Sequence, residues 1–377
     1  MMKSAGWILL LIFLVTGGAE ASLFLSPVGH REAFLGNTGA GLAQSPGAVL
    51  FNPAGIAYFT DHPALSLSGS AVSYQEFSGT TLTRETGQLK SETLLGTAIF
   101  PIEAGLRMGV FYSDPGNIQD YLRSTSGDSG SEIIDTSELQ RQSAVAGIAY
   151  AGLINAEQSW GVGINIVYRE LDGLVLRQSL SSGSSTVRTQ RNVEQQTSLV
   201  LTPGYMWQVH GTYSFGISAQ WKALNVYSEG DQYINEFSTG DTRPREDFSR
   251  YTPASESLLG FTFGQVWNIG GHRLLMDLSY APYSGYRQMA GRADPTVSKN
   301  ISMGWQAPVL PRADILSGLS LTEVGAQNFY LLTGGLGFKN RNYDGSVGGF
   351  YKYTTDSRDG GLSSSTLGFL FSSYIEY

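Results

Sequence analysis

The feature of this sequence that most constrains its fold is an alternation of apolar with small or polar residues, which recurs along the chain after Pro63. In one run, Trp160, Val162, Ile164 and Ile166 are separated by residues that are mostly small or polar. Successive side chains of a β-strand point to opposite faces, so each run predicts a strand with one apolar face. That face meets a core in a soluble sandwich, whereas it meets lipid in a transmembrane barrel.

Fourteen runs of this kind are present, and the even number is typical of a bacterial transmembrane barrel. The predicted strands are 65–74, 93–102, 106–113, 142–153, 160–171, 198–208, 213–224, 257–267, 273–281, 299–306, 315–321, 329–339, 345–354 and 366–377.

The connections between these runs alternate in length, which favours a barrel over a sandwich. Residues 103–105 and 154–159 form short connections, whereas 114–141, 172–197 and 225–256 form long ones. Short turns at one end and longer loops at the other are typical of bacterial outer-membrane barrels. The sequence therefore predicts an all-β transmembrane antiparallel β-barrel of about 14 strands in the bacterial outer membrane, with membrane lipid as a partner.

Both ends of the chain carry features expected of an exported outer-membrane protein. Lys3, the apolar run 6–15 and the small residues around Glu20 read as a signal peptide over residues 1–21. The apolar run is too short to cross a bilayer as a helix, which takes about 20 residues. The last strand ends on the aromatic Tyr377 and looks like a signal for the barrel assembly machinery, so that machinery is a predicted partner.

Residues 22–62 precede the first strand and carry no sustained alternation. Gly36, Gly39 and Gly41 do not form a nucleotide loop, because no buried strand precedes them and no Gly-Lys-Ser or Gly-Lys-Thr follows. A barrel of fourteen strands is wide enough to hold a plug. We therefore predict a hatch over residues 22–62 inside a barrel formed by residues 63–377.

The stretch Gly36–Gly41, followed by Phe51, Asn52, Pro53, Ala54 and Gly55, resembles the N-terminal signature of the FadL/TodX family. The resemblance implies a fourteen-stranded barrel with an N-terminal hatch. It also implies uptake of hydrophobic compounds, including long-chain fatty acids, with release sideways into the membrane. Asn52 and Pro53 are expected to form a turn that the Asn52 side chain caps. With no nucleotide-binding motif, we expect passive transport without a cofactor.

The alternation also predicts which side chains face the lumen. Four apolar residues could line a substrate pocket, namely Phe111, Val167, Val200 and Leu275. Five inward cations could bind a carboxylate head group, or could instead pair with Asp277 and loop acids to neutralise the lumen: Arg107, Arg169, Lys222, Arg273 and Lys352.

Pro203 and Gly204 interrupt a predicted strand of a closed barrel. Proline cannot donate to a strand ladder and is expected at edges, strand starts or bulges. A break in the wall at this position could be a lateral gate, or it could be a bulge that only bends the wall.

Other functions fit the sequence less well. The histidines, His30, His62, His210 and His272, fall in the predicted hatch or in short turns, so we predict neither a catalytic nor a metal site. The net charge of −8 and the absence of a basic block argue against nucleic acid as a partner. A general diffusion porin or a structural barrel remains the alternative to a monomeric channel for hydrophobic molecules.

Overall fold

A computed structural model describes residues 26–59, 61–78, 83–86, 90–114, 118–128, 131–209, 211–252, 258–283, 296–324, 327–356 and 363–377. The predicted signal peptide lies outside the described residues, as does His210. The strands are β1 (Ala64–Ser78), β2 (Thr83–Thr86), β3 (Lys90–Glu103), β4 (Leu106–Asp114), β5 (Ile118–Asp128), β6 (Ser131–Leu153), β7 (Gln158–Ser181), β8 (Ser184–Val209), β9 (Tyr213–Ser238), β10 (Arg245–Tyr251), β11 (Leu258–Ile269), β12 (His272–Tyr283), β13 (Thr296–Leu310), β14 (Ala313–Val324), β15 (Gln327–Lys339), β16 (Tyr343–Asp356) and β17 (Ser363–Glu376).

Fourteen of these strands close into an antiparallel barrel, as the alternation predicted. Neighbouring wall strands pair in chain order, and β17 pairs with β1 to complete the ring. Strands β2, β5 and β10 are not part of the ring, because each adds to a wall strand that already has a wall neighbour on both sides. The weakest predicted run, 315–321, is an ordinary wall strand within β14.

The outer face of the wall is apolar, as a lipid-facing surface requires. Along β7 the buried and exposed positions alternate, and Trp160, Val162, Ile164 and Ile166 point outward. Phe369 of the last strand has 62% of its surface exposed, and Leu332 of β15 has 53%. Exposing so large an apolar surface to water would cost much free energy. The wall is therefore a transmembrane barrel whose outer surface carries an apolar belt.

The predicted lengths of several strands were wrong. β7 has 24 residues and β8 has 26, which corresponds to about 80 Å of strand. A membrane crossing uses about 9–11 residues. The segments expected to be long loops, 114–141, 172–197 and 225–256, therefore contain strand that continues beyond the belt. The barrel thus has a short-turn end and an extended end.

Residues 26–59, called the N-terminal segment below, are compact and contain little regular structure. They form a 3₁₀ helix at Glu32–Leu35, a short α-helix at Ala48–Phe51 and a second 3₁₀ helix at Pro53–Tyr58. No helix of the described residues is long and apolar enough to cross a membrane.

Candidate functional site

The N-terminal segment packs against inward-facing residues on several sides of the wall. The carboxylate Oδ2 of Asp277 on β12 accepts hydrogen bonds from the backbone N–H groups of Gly39 at 2.7 Å and Ala40 at 2.9 Å. Four wall strands away from β12, the Ser159 hydroxyl of β7 donates to the Ala54 carbonyl at 2.9 Å. The segment is therefore held inside the lumen by polar contacts to separate parts of the wall.

The wall accommodates the segment through glycines at inward positions. A Cβ at Gly216 of β9 would overlap the Ala40 carbonyl oxygen, and a Cβ at Gly318 of β14 would overlap the Gly36 nitrogen. Only a residue without a side chain permits the two backbones to approach so closely.

The motif from Phe51 to Gly55 forms a tight turn within the segment. Asn52 has an extended backbone, with φ −155° and ψ 100°, and Pro53 begins the following 3₁₀ helix. The Asn52 Oδ1 accepts from the Ala54 N–H at 3.2 Å, which is the cap expected of this residue. The Asn52 Nδ2 donates to the carbonyls of Ala40 at 2.8 Å and Tyr205 at 3.2 Å. One side chain thus links two parts of the segment to strand β8.

An arginine holds the segment at the short-turn end. The Arg31 guanidinium donates to Asp344 at 2.6 Å and to Asp314 at 3.4 Å, on two different wall strands. All three side chains are largely withdrawn from solvent, so these charge-assisted contacts are stronger than surface ion pairs.

Three of the four predicted apolar pocket residues lie together. Phe111, Val167 and Val200 belong to one buried cluster, which also contains Val49 and Ile56 of the N-terminal segment. The fourth is elsewhere in the lumen. Leu275 packs in a separate cluster with Leu42, Val266 and Leu316. The expected single pocket is therefore divided, and only the first cluster brings predicted residues together.

Each of the predicted cations Arg107, Arg273 and Lys352 bonds to another residue of the protein. Arg107 donates to the Phe59 carbonyl at 3.0 Å and to Asp61 at 2.5 Å, so it holds the end of the segment. Arg273 donates to Asn268 at 3.2 Å, and Lys352 donates to the Ser26 hydroxyl at 3.3 Å. The geometry of these three cations therefore agrees with pairing inside the protein and not with a binding site for a carboxylate head group.

Arg169 and Lys222 are the cations beside the first apolar cluster. Both are almost completely buried, and Lys222 lies opposite Val200 across the β8–β9 pair. The Arg169 Nη2 donates to the neutral Gln196 Oε1 at 2.8 Å. Asp277 is the acid expected to neutralise such cations. Its carboxylate instead accepts hydrogen bonds from backbone N–H groups of the segment.

Pro203 and Gly204 lie where the segment meets the wall. Pro203 is exposed on the lipid face, whereas a Cβ at Gly204 would overlap the Asn52 Oδ1 inside. The pairing of β8 with β9 extends as far as Leu201 and resumes at Gly204, so it is interrupted at Pro203.

A buried carboxyl group lies within the segment itself. Glu32 is fully buried, and neither of its carboxylate oxygens has a hydrogen-bond partner among the described residues. Burial raises the pKa of Glu32 above its ordinary value and lowers the pKa of nearby His30 to about 4. The docked segment therefore favours a protonated Glu32 and a neutral His30.

These two shifts predict opposite pH dependences. Docking weakens as pH falls from 6.5 toward 4, because the undocked His30 takes up a proton first. It also weakens as pH rises from about 4.5 through the raised pKa of Glu32, because the undocked carboxyl ionises first. The two effects therefore oppose each other between about pH 4.5 and 6.5.

We expect Glu32→Gln to abolish the weakening of docking that begins as pH rises above about 4.5. While Glu32 titrates in wild type, its ionisation should by itself reduce the docking equilibrium by up to about tenfold per pH unit. Leakage of a small sugar from proteoliposomes measures it at each pH. The control is Glu323→Gln, which changes a half-exposed carboxylate paired with Lys299. Equal pH profiles for Glu32→Gln and wild type would contradict the assignment.

The described histidines lie on different elements of the structure. His30 lies in the segment, and His272, expected in a turn, begins β12 and stacks on Trp305. Within the described ranges no group of three or more His, Cys, Asp or Glu side chains could hold a metal ion.

Comparison with solved structures shows which proteins share this fold. The toluene transporter TodX of Pseudomonas putida matches with a TM-score of 0.66 at 12% identity, over 94% of this chain and 99% of TodX. The monoaromatic hydrocarbon channel CymD matches with a TM-score of 0.66 at 12% identity, over 95% and 99%. A FadL homologue of Pseudomonas aeruginosa gives 0.59 at 13% identity, over 96% and 99%.

No family model matches the sequence, and no curated protein matches it either. The similarity is thus one of fold, and at that level the resemblance to the FadL/TodX family is confirmed. A closed barrel with an apolar outer belt is the form that bacterial outer membranes contain, so the predicted location is confirmed as well.

Proposed function

We propose that this chain is a passive outer-membrane channel for hydrophobic small molecules, either long-chain fatty acids or hydrocarbons. The observation that carries the proposal is the first apolar cluster, which Phe111, Val167 and Val200 form with the N-terminal segment inside the barrel. Moving apolar surface from water into such a site gains about 25 cal/mol per Å². The shared fold with a toluene transporter and a monoaromatic hydrocarbon channel supports the same class of cargo.

We further propose that residues 22–62 act as a hatch. In this proposal the short-turn end faces the periplasm and the extended end faces the exterior. The contacts to Asp277, Asp314 and Asp344 hold the hatch in place, and its displacement lets cargo leave the apolar cluster. Release then occurs sideways into the membrane.

Assembly and oligomeric state belong to the same proposal. The apolar outer residues of β17 would be recognised by the barrel assembly machinery before the strand pairs with β1. The closed ring needs no second copy to pair its edges, so we propose a monomer.

Uptake by proteoliposomes tests the channel function. Vesicles that contain the protein should take up labelled oleate or toluene at least tenfold faster than empty vesicles, while a labelled sugar should enter both at the same rate. Equal rates for the hydrophobic probes, together with rapid entry of the sugar, would overturn the proposal in favour of a general diffusion porin.

The buried cations predict which hydrophobic cargo is preferred. We expect Arg169→Met and Lys222→Met each to reduce oleate uptake by about tenfold, because a charge-assisted hydrogen bond contributes about 1.5–3 kcal/mol. Toluene uptake should not change. Lys299→Met, which removes a half-exposed lysine of β13, is the matched control. Equal losses for oleate and toluene would show that the two residues serve the structure and not a head group.

A further inference from the structure

The pairing between β8 and β9, called the β8–β9 seam below, is irregular over eight residues. Two register shifts occur within Thr197–Val200, where β9 contributes an extra residue each time. The pairing then stops after Leu201, opposite Trp221, and resumes at Gly204, opposite Ser218. Bulges and missing pairs weaken a ladder locally, so this seam requires less free energy to open than a regular one.

The irregularity belongs to one side of β8 only. On its other side β8 pairs with β7 without a break from Ser184 to Trp207, including a pair between Pro203 and Val162. Proline has no N–H to donate, which agrees with the interruption at this residue. Strand β8 is therefore firmly joined to β7 and loosely joined to β9.

The N-terminal segment bonds to both strands of the seam at that height. The Ser218 hydroxyl of β9 donates to the Phe51 carbonyl at 2.8 Å. The Asn52 Nδ2 donates to the Tyr205 carbonyl of β8 at 3.2 Å. Residues Phe51 and Asn52, called the clamp below, thus tie the two strands together where their own pairing is absent.

The clamp fits against the seam because glycines of β8 and β9 leave room for the Asn52 side chain. A Cβ at Gly204 of β8 would overlap the Asn52 Oδ1, and a Cβ at Gly216 of β9 would lie 2.6 Å from the Asn52 Nδ2. Asn52 is completely buried between the strands. Displacing the segment would remove both bonds and leave open space on the inner side of the seam.

The seam separates two apolar environments. On the inside, Val200 belongs to the first apolar cluster. On the outside, Trp221, Leu224 and Val226 of β9 are exposed on the lipid-facing side. An opening here would join the apolar cluster to the lipid without passage through water.

We propose that the β8–β9 seam at Thr202 and Pro203 is the lateral exit for hydrophobic cargo, and that the clamp keeps it closed while the segment is docked. This inference rests on the proposed function and adds the place and the control of release. It assigns the motif around Asn52 a direct role in the wall as well as in the segment.

A reversible staple tests the exit. Thr202 and Gln220 face each other, since the pairs at Leu201 and Gly204 bracket them in register, and paired strand positions have the Cα spacing that a disulfide needs. Because the chain has no cysteine, Thr202→Cys with Gln220→Cys creates a single disulfide. The control staple is Ser302→Cys with Ser320→Cys, across the regular β13–β14 pair.

Toluene uptake by proteoliposomes is measured with each staple oxidised and then reduced. We expect the oxidised 202–220 staple to slow uptake at least tenfold, reduction to restore it, and the control staple to have no effect. Uptake by the oxidised 202–220 variant at the wild-type rate would overturn the lateral exit. Failure of wild type itself to accelerate uptake would instead overturn the proposed function.

Hydrogen exchange tests the clamp without transport. Ser218→Ala removes the bond to Phe51, and we expect the amide protons of Thr202 and of residues 204–207 to exchange at least tenfold faster. Ser214→Ala is the matched control, because the Ser214 hydroxyl donates to the Gly41 carbonyl on the same strand at 2.8 Å, away from the clamp. Equal exchange in the two variants would overturn the clamp.

Discussion

Replacing Gly216 with alanine will dislodge the N-terminal segment from the barrel. The added Cβ would overlap the Ala40 carbonyl oxygen, which the Asn52 side chain already binds at 2.8 Å. The backbone there cannot withdraw without the loss of that hydrogen bond, and overpacking of this kind costs about 1–3 kcal/mol. One or two kcal/mol raises the undocked fraction about 5- to 30-fold.

Leakage of a small sugar from proteoliposomes measures the undocked fraction. The control is Gly96→Ala on β3, where an added Cβ meets nothing within 4 Å. Both variants should keep a folded barrel, because neither substitution removes a backbone hydrogen bond of the wall. If Gly216→Ala vesicles retained sugar as well as Gly96→Ala vesicles, the close approach at this strand would not control docking.

Replacing Asp277 with alanine will release the same segment from β12, two wall strands away from Gly216. The substitution leaves the backbone N–H groups of Gly39 and Ala40 buried without an acceptor. Each unsatisfied group costs about 1–3 kcal/mol, so docking should weaken by about 2–6 kcal/mol. Asp277→Asn keeps one oxygen acceptor and should have an intermediate effect.

Trypsin provides the measurement, because Arg31 is the sole basic residue between residues 22 and 59. In the docked segment Arg31 is held by Asp314 and Asp344. We expect wild type to resist cleavage after Arg31, Asp277→Ala to be cleaved rapidly, and Asp277→Asn to be cleaved at an intermediate rate. Protection of the alanine variant equal to that of wild type would contradict the anchoring role.

Strand extension beyond the belt was not predictable from alternation. Between residues 170 and 197 the outward positions no longer carry a continuous apolar face, although Leu174 and Leu180 are exposed there. The strands continue because backbone hydrogen bonds form without regard to side-chain polarity, and contacts such as the ion pair of Arg191 with Asp172 join neighbouring strands. Alternation therefore identifies a strand only where one of its faces contacts lipid and must be apolar.

The inward direction of the candidate lumen residues followed from the period of two, but their partners did not. Arg107 and Arg169 are both inward, yet the first holds the Phe59 carbonyl and the second lies beside the apolar cluster. The inward glycines were a signal that the sequence analysis did not use. Gly216 and Gly318 mark the places where the segment approaches the wall.

Alternation and one short motif were enough to predict the number of wall strands, the lipid-facing residues and the resemblance carried by Phe51 to Gly55. These properties are local, because each depends on the alternation along one strand or on a short motif. The folded protein was needed to show that Asn52 bonds to Tyr205, that Asp277 accepts hydrogen bonds from the segment and that Leu275 lies apart from Phe111. Those contacts join residues far apart in the chain, and their geometry depends on how the closed ring and the segment fit each other.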